Sequence, residues 1–312
     1  MRLFENASYN IVGNLKIGYI ISGVLLTISV ISLLTRGVET GIDFQGGTEF
    51  VVETSEPLTV GAVRSTLADA LGTEPEVKEY GSANELLIRS TVGGDVTELS
   101  ALVVGALESA NPNVTLSLQK TDSFAPRFAD DLKRGALYAV LGSLFVIFIY
   151  ILARFGSIIP TRIEDLAFPL GAVAALAHDV TITLGLFSLL QGVVPFSLQI
   201  DQAIIAAFLT IVGYSLNDTV IIFDRIREYA NIFKTDPYRT VVNKSINQTL
   251  SRTVVTSLTT FIVVAVLFIA GGPVLRGFAF ALIIGVVIGT YSSVFVASPV
   301  VVALKSRKRA VG

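Results

Sequence analysis

One carboxylate stands where a hydrocarbon environment should exclude it. Asp218 lies in the run AIIAAFLTIVGYSLNDTVIIFDRIRE that starts at Ala203, seven residues before Arg225. At 1.5 Å per residue it sits about 10 Å inside that basic anchor. A side chain as short as aspartate cannot reach the surface as lysine or arginine can, and a charge at such depth costs about 2.5–3.5 kcal/mol on insertion scales. Asp218 therefore faces protein or water. Helical geometry gives it a face shared with Ala207, Ile211, Tyr214 and Ile222, with Ser215 flanking and Asn217 to one side. Two roles fit: a hydrogen-bonding residue that fixes helix packing, or a carrier that takes up a proton when desolvated and releases it when a cation approaches. Asp224, near the surface, reads as an ordinary interfacial residue.

Two further sets of polar residues interrupt apolar runs. His178-Asp179 stands near the middle of one, with Thr181 and Thr183 close by; a histidine beside a carboxylate in a membrane helix is a proton relay or a paired polar anchor. In SRTVVTSLTT, Arg252, Thr256 and Thr260 recur every four residues, placing a guanidinium and two hydroxyls on one stripe. Arg252 reads either as an inner-surface anchor or as a counter-ion for Asp218. Gly285 and Gly289 form a G-x-x-x-G, a signature of close helix packing rather than of a site.

The elements that must hold these residues are membrane helices. Of 312 residues, 52% are hydrophobic and 15% charged, against roughly a quarter charged in a soluble domain, and the mean hydropathy is +0.70. The apolar residues fall in the runs Leu15–Leu34, Ala136–Leu152, Leu166–Leu190, Ala203–Phe223, Val254–Ala270 and Gly277–Leu304, each near the length that crosses a bilayer. The first is too long for a signal-peptide core and is expected to stay as the first of six transmembrane helices. With no cysteine and one histidine, thiolate sites are excluded and an ordinary zinc constellation is not expected. No glycine-rich nucleotide loop or nucleophile elbow is present, no basic stripe with interleaved aromatics points to nucleic acid, and nothing indicates an enzyme.

Lysine and arginine near the helix ends set the orientation. Arg2, Lys16, Arg154, Arg162, Arg225, Arg227, Lys234, Arg239, Lys244, Lys305, Arg307, Lys308 and Arg309 cluster on one side, whereas the link Gln191–Gln202 has none and the link after the fifth run has only Arg276. Both termini are therefore expected in the cytoplasm, with the segment 35–126 outside. The expected organisation is residues 1–34 as N-terminal segment and first helix, 35–126 as the extracytoplasmic domain, 127–304 as helices two to six with a cytoplasmic amphipathic segment at about 225–250, and 305–312 as a basic tail.

Residues 35–126 have the composition of a soluble domain. TEFVVET (Thr48–Thr54) alternates as a strand. Thr59 is placed to cap a helix to Leu71, Glu76–Tyr80 and Glu85–Thr91 read as strands about a Gly81-Ser82 turn, Asp95 caps a helix over Val96–Ala110 that Asn111-Pro112-Asn113 stops, and Val114–Lys120 alternates again. This β-α-β-β-α-β order predicts a ferredoxin-like α+β fold, helices on one sheet face and the other face free for an extended chain or a partner.

The segments GIDFQGGT (Gly41–Thr48), AHD (Ala177–Asp179), GYSLNDTVIIFDRIRE (Gly213–Glu228), SRTVVTSLTT (Ser251–Thr260) and GGPVLRGF (Gly271–Phe278), in that order on a six-helix frame, resemble the SecD–SecF family of protein-translocase subunits, and its smaller SecF-type members over nearly the whole chain. The resemblance implies a resistance-nodulation-division-like membrane fold and use of the proton-motive force for late steps of preprotein translocation across the inner membrane. Its implied partners are a SecD-like subunit, the Sec translocation channel, the translocating preprotein and the lipid bilayer, with protons as coupling ion and no other cofactor. It implies that Asp218 and Arg252 belong to the proton path, with Asn217, Tyr214, Thr256, Thr260, His178 and Asp179 as its candidate companions, and it marks Asp43, Gly46 and Gly47 as the motif after the first helix. A proton-coupled small-molecule or lipid exporter and a non-transporting scaffold are the alternatives.

Overall fold

The structure is a computed structural model and describes residues 8–155, 163–194 and 196–309. Arg2, Arg162 and residues 310–312 of the basic tail lie outside the described residues, as do the side chains of Arg307, Lys308 and Arg309. Six helical stretches among those described are long and apolar enough to cross a membrane: Leu15–Thr35, Arg127–Phe155, Glu164–Leu190, Gln202–Ile232, Tyr238–Ala270 and Leu275–Lys305.

The first membrane helix, α1 (Leu15–Thr35), is followed by a one-turn helix, α2 (Ile42–Gln45), and then by the outside domain. Its elements are β1 (Gly47–Thr54), α3 (Val60–Leu71), β2 (Glu76–Tyr80), β3 (Ser82–Ser90), α4 (Val96–Ala110) and β4 (Leu116–Phe124). The sheet order is β2-β3-β1-β4, with antiparallel neighbours throughout, which is the ferredoxin-like arrangement expected. Alternation puts Phe50, Val52, Val77, Leu86 and Ile88 on one sheet face, where they pack on Val63 and Leu67 of α3 and Leu99, Val103 and Leu107 of α4. Asp95 caps α4, accepting from the Thr97 and Glu98 amides at 2.7 and 3.3 Å, and these bonds hold its carboxyl below the usual carboxylate range. Thr59 stands at the N-cap of α3, but its side chain makes no capping bond.

The other sheet face is not free. It turns toward the outer ends of the membrane helices, so that Val51, Leu87 and Arg89 are buried. Cavities of about 590 and 310 Å³ remain between this face and the 191–204 segment.

The membrane helices continue with α5 (Pro126–Phe155), α6 (Ala167–Leu190), α7 (Gln202–Ile232), α8 (Tyr238–Ala270) and α9 (Gly272–Ser292). A π turn at Ser293–Ala297 leads from α9 into α10 (Ser298–Arg309). α5 starts about ten residues before its apolar run, and its first turns are the polar stretch 127–134. Residues 225–250, expected as an amphipathic segment, fall in the end of α7 and the start of α8, and the chain turns back between the two helices at 233–237. Asn243 and Asn247 of α8 hold the chain ahead of α1 by accepting from the Val12 and Tyr9 amides at 3.0 and 2.8 Å. Asp224 pairs with Arg154 at 3.0 Å, as an interfacial residue should.

Two apolar layers fill the bundle. Toward the end away from the ferredoxin-like domain Phe155, Phe168 and Phe223 meet ring to ring among Ile151, Ile222 and Val301. Toward the domain end Phe187, Phe208 and Phe280 do the same among Ile204, Ile211 and Ala281. The polar residues occur between these layers along each helix, where the low dielectric strengthens any hydrogen bond made and penalises any left unmade.

Candidate functional site

Asp218 is buried at the meeting of α7, α8 and α9. Its Oδ2 is 3.4 Å from Ser257 Oγ of α8. The contact is long because Ser257 is also 2.6 Å from Thr290 Oγ1 of α9, whose own hydrogen goes to the Val286 carbonyl at 2.7 Å. Oδ1 has no partner, nor do two other buried atoms on the same pair of helices, Tyr214 Oη and Thr253 Oγ1. The carboxylate is thus short of donors in a place where an uncompensated charge is expensive.

Asp179 is also buried, and its surroundings are the opposite. Its Oδ2 accepts from Ser215 Oγ of α7 at 2.6 Å and from Ser292 Oγ of α9 at 2.8 Å, while Oδ1 lies 3.0 Å from His178 Nδ1. His178 Nε2 is 3.1 Å from Ser22 Oγ of α1. Ser22 in turn is 3.1 Å from Tyr291 Oη, and Tyr291 donates to the Gly18 carbonyl at 2.6 Å. Thr290, Tyr291 and Ser292 are consecutive. Successive helical residues point about 100° apart, so these three hydroxyls fan toward Asp218, α1 and Asp179 respectively. The π turn follows at once, a distortion common at functional sites.

Close packing makes the network possible. A Cβ at Gly285 would overlap the Ile211 side chain, and one at Gly289 would lie 2.9 Å from Ser215 Cβ. The G-x-x-x-G therefore seats α9 against α7, as its spacing indicates.

The stripe Arg252–Thr256–Thr260 does not meet Asp218. Arg252 is exposed, and among the described residues no salt bridge joins it to Asp218, though its charge acts there through space. The buried stripe of α8 is Thr253 and Ser257, one residue further on; a 100° offset turns the expected stripe toward the helix edge. Thr260 spends its hydroxyl on the Thr256 carbonyl at 3.1 Å. Asn217 is exposed, and Tyr214 is half-buried. Ser22, Ser257, Thr290, Tyr291 and Ser292 were not singled out from the sequence. A run of three hydroxyl residues inside an apolar span is the signal that marks the last three.

The motif after the first helix lies at the domain end of the bundle, not beside Asp218. Asp43 Oδ2 accepts from the Gln202 amide at 2.9 Å, sixteen residues or about 24 Å up α7 from Asp218. Gly46 and Gly47 have φ of +76° and +116°, and a Cβ on Gly47 would fall on the Ser90 carbonyl oxygen. Thr40 and Ile200 form a β-bridge, with Gly41 N donating to Ile200 O and Ile200 N to Glu39 O, both at 2.8 Å. Buried Arg89 completes the junction with bonds to Glu49 at 2.7 Å, Glu76 at 3.1 Å and Gln199 Oε1 at 2.6 Å. Asp201 caps α7 through the Ile204 amide at 2.7 Å; burial, and then the neighbouring Asp43, push its carboxyl above the usual range. Burial among acids likewise pushes Tyr80, on the rim of both cavities, up to about 12.

Residues 105–307 match the family described as "Protein export membrane protein SecD/SecF, C-terminal", and residues 31–57 match the "SecD/SecF GG Motif". The chain belongs to the SecD/SecF family. It is 58% identical to the protein translocase subunit SecF of Rhodothermus marinus over 310 residues, covering 99% of this chain and 97% of that protein. It is 37% identical to the SecF subunit of Vibrio alginolyticus over 296 residues, covering 94% and 89%. Among solved structures, it is similar to SecDF of Thermus thermophilus, a translocon-associated membrane protein, with a TM-score of 0.82 and 34% identity over 98% of this chain. The chain spans 40% of that SecDF chain. A second SecDF structure, in a super-membrane-facing form, matches with a TM-score of 0.69. The GG motif of the SecD/SecF family is thus the junction that ties the outside domain to α7.

Proposed function

We propose that this chain is the SecF-type half of a proton-driven export machine in the inner membrane, with both termini cytoplasmic and the ferredoxin-like domain outside. Asp218 takes up protons from outside and releases them inward as α7, α8 and α9 shift, and this motion promotes late steps of preprotein translocation. The observation that carries the reading is the Asp218 carboxyl itself: it is buried with an orphan oxygen, on the same two helices as two more unpartnered hydroxyls, Tyr214 and Thr253. Such a setting suits a group that changes charge, whereas a fixed structural carboxylate would be surrounded by donors as Asp179 is.

The partner is a SecD-like subunit. The exposed side of α7 carries Ala203, Ala206, Thr210, Gly213 and Asn217 at helical spacing, and the adjoining side of α8 carries Arg252 and Thr259. Small residues permit close helix approach, and an amide and a guanidinium at this depth need protein or water rather than lipid. Arg252 serves the ionised state of Asp218 when the helices rearrange, and the Sec channel and the preprotein engage the outer side. Each proton releases about 2.3 kcal/mol per 100 mV and about 1.4 kcal/mol per pH unit.

The test replaces Asp218 by Asn in cells depleted of the native chain and measures preprotein export with and without a proton gradient. Loss of the gradient-dependent component is expected. Undiminished export overturns the proton-carrier role, and if deletion still abolishes export, the chain is a scaffold for its partner.

A further inference from the structure

The hydroxyl chain around His178 has one hydrogen per member, and the distances determine where each hydrogen goes. Tyr291 gives its hydrogen to the Gly18 carbonyl in a 2.6 Å bond. The 3.1 Å contact between Ser22 and Tyr291 can then be filled only by the Ser22 hydrogen. With that hydrogen used, the 3.1 Å contact between Ser22 and His178 must be filled from the ring, so Nε2 carries a hydrogen. On the far side, Nδ1 and Asp179 Oδ1 lie 3.0 Å apart. Two bare acceptors would repel at that distance, so a second hydrogen lies between them.

We propose that the His178–Asp179 pair is a second proton-binding site of the membrane domain, separate from Asp218, and that the structure shows it loaded. Loaded, the pair holds two protons, either as imidazolium and carboxylate or as neutral imidazole and carboxylic acid, and its net charge is zero. Among the described residues no lysine or arginine forms a salt bridge with Asp179, so loading is what cancels its charge in a low-dielectric layer. The titratable groups from the packed elements are Tyr291 of α9, Tyr19 of α1 and, from α7, Tyr214 beside Ser215 and Asp218 one turn along; α5, which also packs on α6, carries the exposed Tyr138 and Tyr150, the π turn adds none, and Lys305 of α10 lies over Phe168, ten residues back along α6. His178, Ser22 and Tyr19 also line a cavity of about 580 Å³ between α1, α6 and α10, an approach to the pair that bypasses the Asp218 pocket.

Release of one proton changes a contact between helices. The remaining hydrogen stays on Nδ1 toward Asp179, Nε2 becomes an acceptor, and Ser22 rotates to donate to it. The Ser22–Tyr291 bond between α1 and α9 is then lost. α1 runs directly into the outside domain, with Arg36 fastened to the Leu189 and Gln191 carbonyls at 2.9 and 3.2 Å. Proton release at His178–Asp179 thus removes one of the two bonds by which Tyr291 holds α1, leaving the one to the Gly18 carbonyl, and so loosens the bundle's grip on the helix that carries the domain. This consequence rests on the proton-coupled role proposed above; the site itself does not.

The chain has one histidine, so 15N-histidine labelling of the full chain in phospholipid vesicles reports on this ring alone. At about pH 7 the expected spectrum shows a protonated, hydrogen-bonded Nε2. Tyr291→Phe, which removes the acceptor of the Ser22 hydrogen, is expected to abolish that Nε2 proton signal and leave Nδ1 protonated. A bare Nε2 in the unsubstituted chain overturns the proposal without reliance on any variant, and an unchanged Nε2 signal in Tyr291→Phe overturns the Ser22 relay. Asp218→Asn is expected to leave the histidine spectrum as it is; a lost Nε2 proton there would make the pair part of the Asp218 site and overturn its independence. Intact export by Asp218→Asn with a protonated Nε2 would refute the Asp218 role and leave this site standing.

Discussion

Arg89→Met tests the junction between the outside domain and α7. Methionine keeps most of the apolar stem but removes the guanidinium from Glu49, Glu76, Gln199 and the Thr40 carbonyl. Glu76 matters little, since it is 37% exposed and keeps Lys78 at 2.6 Å. Glu49 is 15% exposed, and the Arg89 side chain 3%, so this is the pair whose breakage strands a buried charge. Removing one partner of a buried pair costs about 3–5 kcal/mol, and the lower end applies because a small cavity adjoins Glu49. At about 1.4 kcal/mol per factor of ten, 3 kcal/mol is about a hundredfold. The amides of Gly41 and Ile200, which close the bridge beside Arg89, should therefore exchange with deuterium about a hundredfold faster, opening locally rather than with the whole domain. Adding Glu49→Gln to Arg89→Met should recover part of the protection, because it removes the stranded charge. Acceleration below about threefold, or no recovery in the double variant, would refute the claim that this pair fastens the domain.

Other perturbations read different parts of the fold. Gly47→Ala should cost the outside domain about 1–3 kcal/mol in backbone strain alone and more from collision with Ser90 O, seen as a lowered denaturation midpoint; Gly61→Ala, with open space around its Cβ, should not lower it. Gly285→Leu should destabilise the α7–α9 contact by about 1–3 kcal/mol through overpacking on Ile211, measured as earlier thermal aggregation in detergent. A Cβ at the exposed Gly213 meets nothing within 4 Å, so Gly213→Leu should leave the isolated chain as stable as before while reducing co-purification of a SecD-like subunit. Asp201→Asn should stabilise the junction at neutral pH, since asparagine can still cap α7. The sign follows from the raised folded-state titration of Asp201: its ionised form penalises folding at pH above that titration, and the penalty vanishes below the unfolded value of 3.8. The gain, followed by hydrogen exchange at Ile200, should shrink as pH falls through that window.

The membrane helices and the outside domain were legible because their signals are local. Period-two alternation, Asp95 before α4 and the Asn111-Pro112-Asn113 stop need only neighbouring residues, and each apolar run reports its own helix. What the sequence left open was which residue of one helix faces which residue of another. Arg252 and Ser257 are both polar residues of α8, and only the rotation of that helix against α7 decides that Ser257 faces Asp218. The free sheet face failed for the same reason: Val51, Leu87 and Arg89 alternate as solvent-side residues would, but the 191–204 segment returns to cover them. His178 and Asp179 were visible as a pair, whereas their three hydroxyl partners come from three other helices.

The arrangement bears on how many protons a stroke needs. α7 is clamped at its N-terminal end by Asp43 and the Thr40–Ile200 bridge, carries Ser215 and Asp218 at its middle, and is paired toward its other end through Asp224. A tilt of about 5° around its middle would move its outer end about 2 Å, given roughly 24 Å of helix above Asp218. Moving such a two-state element from one part in a hundred to ninety-nine requires about 5.5 kcal/mol of differential free energy. One proton crossing about 100 mV with one pH unit supplies about 3.7 kcal/mol, which falls short. Two protons supply about 7.4 kcal/mol, which suffices. The His178–Asp179 pair meets α7 at Ser215, one turn from Asp218 on the same face, and α9 reaches the pair through Ser292 and the Ser257 beside Asp218 through Thr290. On the proton-coupled role proposed above, a stroke that discharges both is complete where one that discharges Asp218 alone is partial. A full-amplitude movement of the outside domain in a chain whose histidine never changes protonation would show that Asp218 alone is enough.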